Sequence, residues 1–144
     1  MNVKIKKMNE NAAVPQYQTS GAAAADLCAC LDAPVVINVG ETVLIPTGLA
    51  MSIPSDTVAL IFARSGLSVK KGISLANSVG VIDSDYRGEI KAALVNRGSE
   101  PYTVTHGDRI AQIGFFPVLS ARFDITDELD DTERGAGGFG HTGK

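Results

Sequence analysis

Four short stretches of this 144-residue chain hold side chains able to do chemistry. The densest runs from Asn77 to Asn96. It sets two carboxylates, Asp83 and Asp85, directly before Tyr86 and Arg87. Aspartate favours turns because it hydrogen-bonds its own backbone, so these residues suit a metal pair, a general base with a helper, or plain turn geometry. Tyr86 reads as a packed edge residue or as a platform for a ligand. The Asn77 amide reads as a turn residue or as a reader of a base edge. In Ala63-Arg-Ser-Gly-Leu67 a strand gives way to a helix, whose free N–H groups and positive dipole end suit phosphate. Arg64 can add a bidentate contact there; the ordinary alternative is a capped helix with a surface arginine. Gly107-Asp-Arg-Ile-Ala-Gln-Ile113 puts Asp108 and Arg109 at a strand start and turns Gln112 toward a cleft or solvent. In the tail, Arg134-Gly-Ala-Gly-Gly-Phe-Gly-His-Thr-Gly143, glycines allow backbone N–H groups to approach an anion. Arg134 supplies charge there, and Phe139 offers a ring that can stack. A disordered linker is the plain alternative. His106 and His141 stand too far apart in sequence to argue a pair.

The elements that must carry these groups read as strands. Val3 and Ile5 alternate with lysines, as do Val35, Ile37 and Val39 with their neighbours. Strands are expected over 42–45, 49–53, 58–63, 102–105 and 109–118. One short helix, capped by Ser65 and stopped by Gly72, is expected through Lys71. Asn77–Asn96 reads as a strand, a turn at Asp83–Tyr86 and a second strand, that is, a hairpin. The alanine-rich run from Gly21 to Leu31 favours helix by propensity, yet its surroundings argue for strand. Turn signals recur about every 8–12 residues, the mark of an all-β sandwich or barrel. Two regions are expected: a β-domain over 1–127, and an acidic, then glycine-rich arm over 128–144 with too little apolar surface to order itself.

Hydrophobic residues make up 44% and charged residues 20%, which fits a folded soluble domain with a real core. A net charge of −3 argues against a general nucleic-acid binder, though not against a nucleotide, which needs only local cations. No secretory signal is read at the N-terminus, and no apolar run approaches the roughly 20 residues that span a bilayer. Cys28 and Cys30 share a face if extended, where a bridge would be strained. A reduced, cytoplasmic setting is expected, with no thiol metal site.

Taken together, five motifs resemble the trimeric all-β dUTP pyrophosphatases (dUTPases) in order and along nearly the whole chain. They are Ala25-Asp-Leu-Cys-Ala29, Ala63-Arg-Ser-Gly-Leu67, Gly80-Val-Ile-Asp-Ser-Asp-Tyr-Arg-Gly-Glu-Ile90, Gly107-Asp-Arg-Ile-Ala-Gln-Ile113 and the tail from Arg134 to Gly143. The third and fifth are the most specific. The resemblance implies a distorted jelly roll, β-barrel-like, with one short helix and a flexible C-terminal arm. It also implies a homotrimer whose active sites are shared between subunits. The activity implied is hydrolysis of dUTP to dUMP and pyrophosphate with Mg²⁺, which keeps uracil out of DNA and supplies dUMP for thymidylate synthesis.

By the same resemblance Asp83 activates the attacking water. Arg64, Ser65, Gly66 and Gln112 contact phosphates; Asn77, Val81 and Ile82 read uracil; Tyr86 packs on deoxyribose; Lys91 faces the nucleotide. Arg134 and Gly138 belong to the closing arm, and Phe139 covers the base. Mg²⁺ is held by the substrate phosphates, with Asp26 near it through water. Relatives commonly have Gly-Tyr where Ala24-Ala25 stand, and serine where His141 stands. Two other readings compete. A dCTP deaminase of the same fold needs an acid a few residues past Gly88, where this chain has alanine. A regulatory β-protein would bind nucleotide without hydrolysing it, which the intact Asp83 argues against.

Overall fold

The computed structural model describes residues 1–138. Phe139 and His141 lie outside the described residues. Eleven strands and one helix follow in order: β1 (Lys4–Lys7), β2 (Ala25–Cys28), β3 (Val35–Ile37), β4 (Thr42–Pro46), β5 (Leu49–Ser52), β6 (Thr57–Ala63), α1 (Ser65–Lys71), β7 (Ile73–Leu75), β8 (Val79–Ile82), β9 (Lys91–Asn96), β10 (Tyr102–Val104) and β11 (Arg109–Pro117). They form a four-stranded sheet β2-β11-β6-β8, a three-stranded sheet β4-β9-β7, and the pairs β1-β5 and β10-β3. Every pairing is antiparallel. The all-β expectation holds, and among the described residues no sheet closes on itself into a complete barrel.

Alternation explains the packing. Thr57, Ala59 and Ile61 of β6 turn inward, as do Ala92 and Leu94 of β9. Of these, Ala59, Ile61, Ala92 and Leu94 join Leu27, Ile37, Ile45, Leu49, Ile73, Ile110 and Ile113 in one core. The alanine-rich run is strand only over β2. Pairing with β11 overrides alanine's helical preference, and the small Ala25 is buried there. Buried Asn96 ties the end of β3 to the turn after β9: its Nδ2 donates to Ile37 O at 2.9 Å and Glu100 O at 2.8 Å, and its Oδ1 accepts from Gly98 N at 2.9 Å.

Three expectations need correction. Residues 73–75, for which no element is expected between the Gly72 helix stop and Asn77, form β7. Ser65 is not the cap of α1: extended Arg64 occupies that position, with no side-chain cap. Gly72 does stop the helix, in the left-handed region at φ 70°, and a Cβ there would lie 2.5 Å from Gly98 Cα. The third correction matters most. Asn77–Asn96 is not a paired hairpin, since β8 pairs with β6 whereas β9 pairs with β4 and β7. Ile90 is the cause. Its apolar side chain is buried, its N–H donates to Leu49 O at 2.8 Å, and its carbonyl accepts from Thr47 Oγ1 at 2.7 Å. That anchor carries the chain from one sheet to the other.

Beyond Pro117 no strand or helix follows among the described residues, and positions 118–136 are exposed. No helix among the described residues is long and apolar enough to cross a membrane.

Candidate active site

The candidate residues fall into two clusters at opposite ends of β6 and β8. The first is a groove of about 420 Å³ lined by Leu44, Val81, Ile82, Asp83, Tyr86, Glu89 and Lys91. Strand β8 delivers its rim: Gly80 faces the core, so Val81 must face outward, where it is 60% exposed. A turn closes just beyond, with Tyr86 N donating to Asp83 O at 3.1 Å. The Asp83 carboxylate is exposed and makes no hydrogen bond or ion pair among the described residues. Asp85 sits in the same turn but does not line the groove.

Tyr86 is held across the groove by its own neighbours. Its hydroxyl donates to Glu89 O at 3.0 Å. Gly88 makes room for it: a Cβ at residue 88 would lie 2.6 Å from Tyr86 Cζ and closer still to the hydroxyl. Glu89, which sequence reasoning used only to weigh the deaminase alternative, has a structural task. Its carboxylate accepts from Gly48 N at 2.9 Å and pairs with Lys91 at 3.5 Å. The exposed Asn77 does not line the groove; it lies beneath β8, its Nδ2 3.6 Å from where a Cβ on Gly80 would sit.

The second cluster is electrostatic. Asp26 on β2 is buried, and both its oxygens are engaged: Oδ1 with Arg64 Nε at 3.0 Å and Oδ2 with Arg109 Nη1 at 3.1 Å. Arg64 Nη1 also donates to Arg109 O at 3.0 Å. Two guanidinium groups on one carboxylate leave an excess of one positive charge. Ser65 and Gly66 begin α1 beside it, exposed and without a side-chain cap. Gln112 is paired in register with Asp26, and its Nε2 donates to Ala63 O at 3.2 Å. Asp108 and Arg109 read in the sequence as structural, pairing with groups on neighbouring strands; Arg109 does so, and its partner, Asp26 on β2, is what the motif alone does not name. The signal that finds it is the β2–β11 register, which spacing within either motif does not contain.

The thiol of Cys28 is pushed up by burial and then by the Asp26 carboxylate, against the opposing pull of Arg109 and Arg64. Both cysteines are free. Among the described residues no group of three or more His, Cys, Asp or Glu is placed to hold a metal. With both oxygens in ion pairs, Asp26 does not fit a direct metal ligand. In the tail, Arg134 closes a turn on itself, its Nε donating to Gly137 O at 2.8 Å, and lines neither cluster. Gly138 ends the described chain half-buried.

The two clusters are far apart in one chain. Ile82 sits opposite Ala59, five residues before Arg64. At about 3.3 Å per residue their backbones are about 17 Å apart.

An all-β chain with an unpaired carboxylate on a groove rim and a separate cationic cluster fits a nucleotide-processing protein. The family is shown by comparison. The dUTPase family model matches residues 10–143, and the chain belongs to that family. It is 55% identical over 146 residues to a deoxyuridine 5'-triphosphate nucleotidohydrolase of Desulfitobacterium hafniense, covering 99% of this chain and 97% of the relative. A protein of the same name from Desulfotalea psychrophila is 52% identical over 134 residues, covering 93% and 89%. Among solved structures, Staphylococcus bacteriophage 80alpha dUTPase with dUPNHPP matches at TM-score 0.91 and 25% identity, over 99% of each chain. A mutant dUTPase from phage phi11 of S. aureus, studied for its coordination of a structural Mg(II) ion, matches at TM-score 0.81 and 22% identity, over 90% of this chain and 99% of that one.

Proposed function

We propose that this chain hydrolyses dUTP to dUMP and pyrophosphate, and that its active site is assembled from more than one subunit of a homotrimer. The observation that carries the reading is the groove: an unpaired Asp83 carboxylate, the outward edge of Val81 and Ile82, and the Tyr86 ring meet in one place. Backbone at Val81 and Ile82, supported from beneath by Asn77, matches the uracil edge and leaves no room for a thymine methyl; a backbone wall discriminates where a soft apolar pocket does not. The Tyr86 ring packs on deoxyribose and excludes a 2′-hydroxyl. Lys91 supplies local positive charge. Asp83 orients a water and takes its proton as the water attacks the α-phosphorus in line with the leaving pyrophosphate.

The triphosphate needs more cations than the groove supplies, where Lys91 is already paired with Glu89. Arg64, with the N–H groups of Ser65 and Gly66 and the amide of Gln112, provides them in the second cluster. The separation of about 17 Å along β6 is the reason to draw the two clusters from different subunits. Residues 128–144 then form an arm that brings Arg134, Gly138 and Phe139 over a bound nucleotide and excludes bulk water. Mg²⁺ fits as an ion held by the substrate phosphates, since it keeps several waters and favours phosphate oxygens; Asp26 approaches it only through water. When bound, it neutralises charge on the phosphates. The setting is cytoplasmic, where the product feeds thymidylate synthesis.

Two experiments test this. Purified protein with Mg²⁺ is offered dUTP, dTTP, dCTP and UTP, and products are separated by ion exchange. Conversion of dUTP alone to dUMP and pyrophosphate is expected; release of dUTP from dCTP, or no turnover, refutes the reading. Mixed oligomers refolded from Asp83→Asn and Arg64→Gln chains test the shared site. Activity well above either parent is expected, and its absence places both clusters' work in one chain.

A further inference from the structure

In a regular strand, Arg109 and Gln112 are three residues apart and face opposite sides of the sheet. In this chain they share a side. Gln112 pairs with Asp26 and Arg109 with Cys28, and a bulge between Arg109 and Ala111 sets two residues of β11 against one of β2. Positions 26 and 28 lie on the same face, so the bulge rotates Arg109 back onto it. The consequence is the contact with Asp26 Oδ2 at 3.1 Å. Asp26 in turn holds Arg64 by Nε, and the Arg109 carbonyl holds Arg64 Nη1 at 3.0 Å. Arg64 is therefore gripped on two sides by β2 and β11. Among the described residues its Nη2 is the nitrogen left without a protein partner.

We propose that Arg109 is a positioning residue for dUTP hydrolysis: by neutralising and orienting buried Asp26, it fixes the Arg64 guanidinium with its Nη2 edge presented to the substrate phosphates. The physics is a matter of charge count. With Arg109 present, Asp26 is shared between two cations and Arg64 keeps net positive charge for the phosphates. Without it, the Asp26 carboxylate belongs to Arg64 alone, which cancels that charge and frees the carboxylate to reorient. This inference rests on the reading of Arg64 as a phosphate contact.

The test is a kinetic cycle on the full-length protein with R109Q, R64Q and the double variant, with thermal melts to establish folding. R109Q is expected to lower kcat/KM for dUTP about tenfold and R64Q more; R109Q is expected to add less than about twofold in the R64Q background, because coupled residues are non-additive. Inhibition by deoxyuridine, which carries no phosphate, is expected to stay within about twofold, whereas a general structural defect weakens it too. A double variant whose loss is the product of the two single losses overturns the proposal, as does R109Q with wild-type kcat/KM. If R64Q itself is wild-type, the phosphate reading falls first and the proposal with it. Should R109Q fold poorly, R109K keeps the charge and carries the same cycle with a loss of about threefold expected.

Discussion

Gly88→Ala isolates what holds Tyr86 in the groove. The added methyl would sit 2.6 Å from Tyr86 Cζ, where ordinary contact needs about 3.5–4.0 Å between carbons, so the ring must swing away by an ångström or more. Swinging breaks the hydroxyl bond to Glu89 O. That bond is solvent-exposed and the ring is 44% exposed, so the fold loses little: about 1 kcal/mol, or about 3 °C in Tm for a domain of this size. Function loses more. Removing an aromatic ring from a sugar costs about 1–1.5 kcal/mol, which lowers kcat/KM for dUTP about tenfold. Discrimination against UTP should fall with it if, as proposed, the ring is what excludes a 2′-hydroxyl. The assay is steady-state kinetics on dUTP and UTP alongside thermal melts. Gly88→Ala added to Tyr86→Ala should do nothing further, since the ring it displaces is already gone. Wild-type kcat/KM and wild-type dUTP/UTP selectivity in Gly88→Ala would refute the argument; so would a large loss of Tm, which would mean that the glycine serves the fold and not the ring.

Other outcomes follow from the same geometry. Asp83→Asn should retain binding of a non-hydrolysable dUTP analogue, measured by calorimetry, while turnover falls by about 10²–10⁴; near-normal kcat removes Asp83 as the base. Deleting residues after Glu133 should leave the assembled mass by light scattering unchanged and cut kcat strongly, and undiminished kcat refutes the closing arm. Asn96→Ala removes three hydrogen bonds and strands two carbonyls and an N–H, for about 2–4 kcal/mol in urea unfolding; a change below about 0.5 kcal/mol would mean that water replaces them. Stability should also fall at alkaline pH. Burial raises Cys28, Cys30 and Tyr102 above their ordinary values of 9.0 and 10.0, with Asp26, Asp32 and Asp108 respectively adding to it. The unfolded chain therefore ionises first. Stability is fully present below pH 9.0 and is lost as pH rises through the folded values. The contribution of Cys28 to that slope should vanish in Cys28→Ser.

Much of this protein is legible along the chain. Period-two alternation, turn residues and, for β2, its strand-rich surroundings place ten of the eleven strands among the described residues, and the helix, because each depends on neighbours in sequence. Only β7 escapes, because Ile73–Leu75 follows the Gly72 helix stop directly and no turn residue separates the two. The chemistry-bearing residues are legible too: Asp83, Tyr86, Arg64 and the glycine arm are visible as types and spacings, and their order identifies the family. What the chain by itself does not determine is which strands meet. Asn77–Asn96 reads as a hairpin because a turn sits between two extended runs. Tertiary burial of Ile90 sends the second run to another sheet. Asp26 and Arg109 are 83 residues apart and become partners only through the β2–β11 register and its bulge. Pairing is a long-range choice, decided by which apolar faces can be buried together, and that sum is taken over the whole core. Local sequence sets what each segment can do, and burial decides what it does it with.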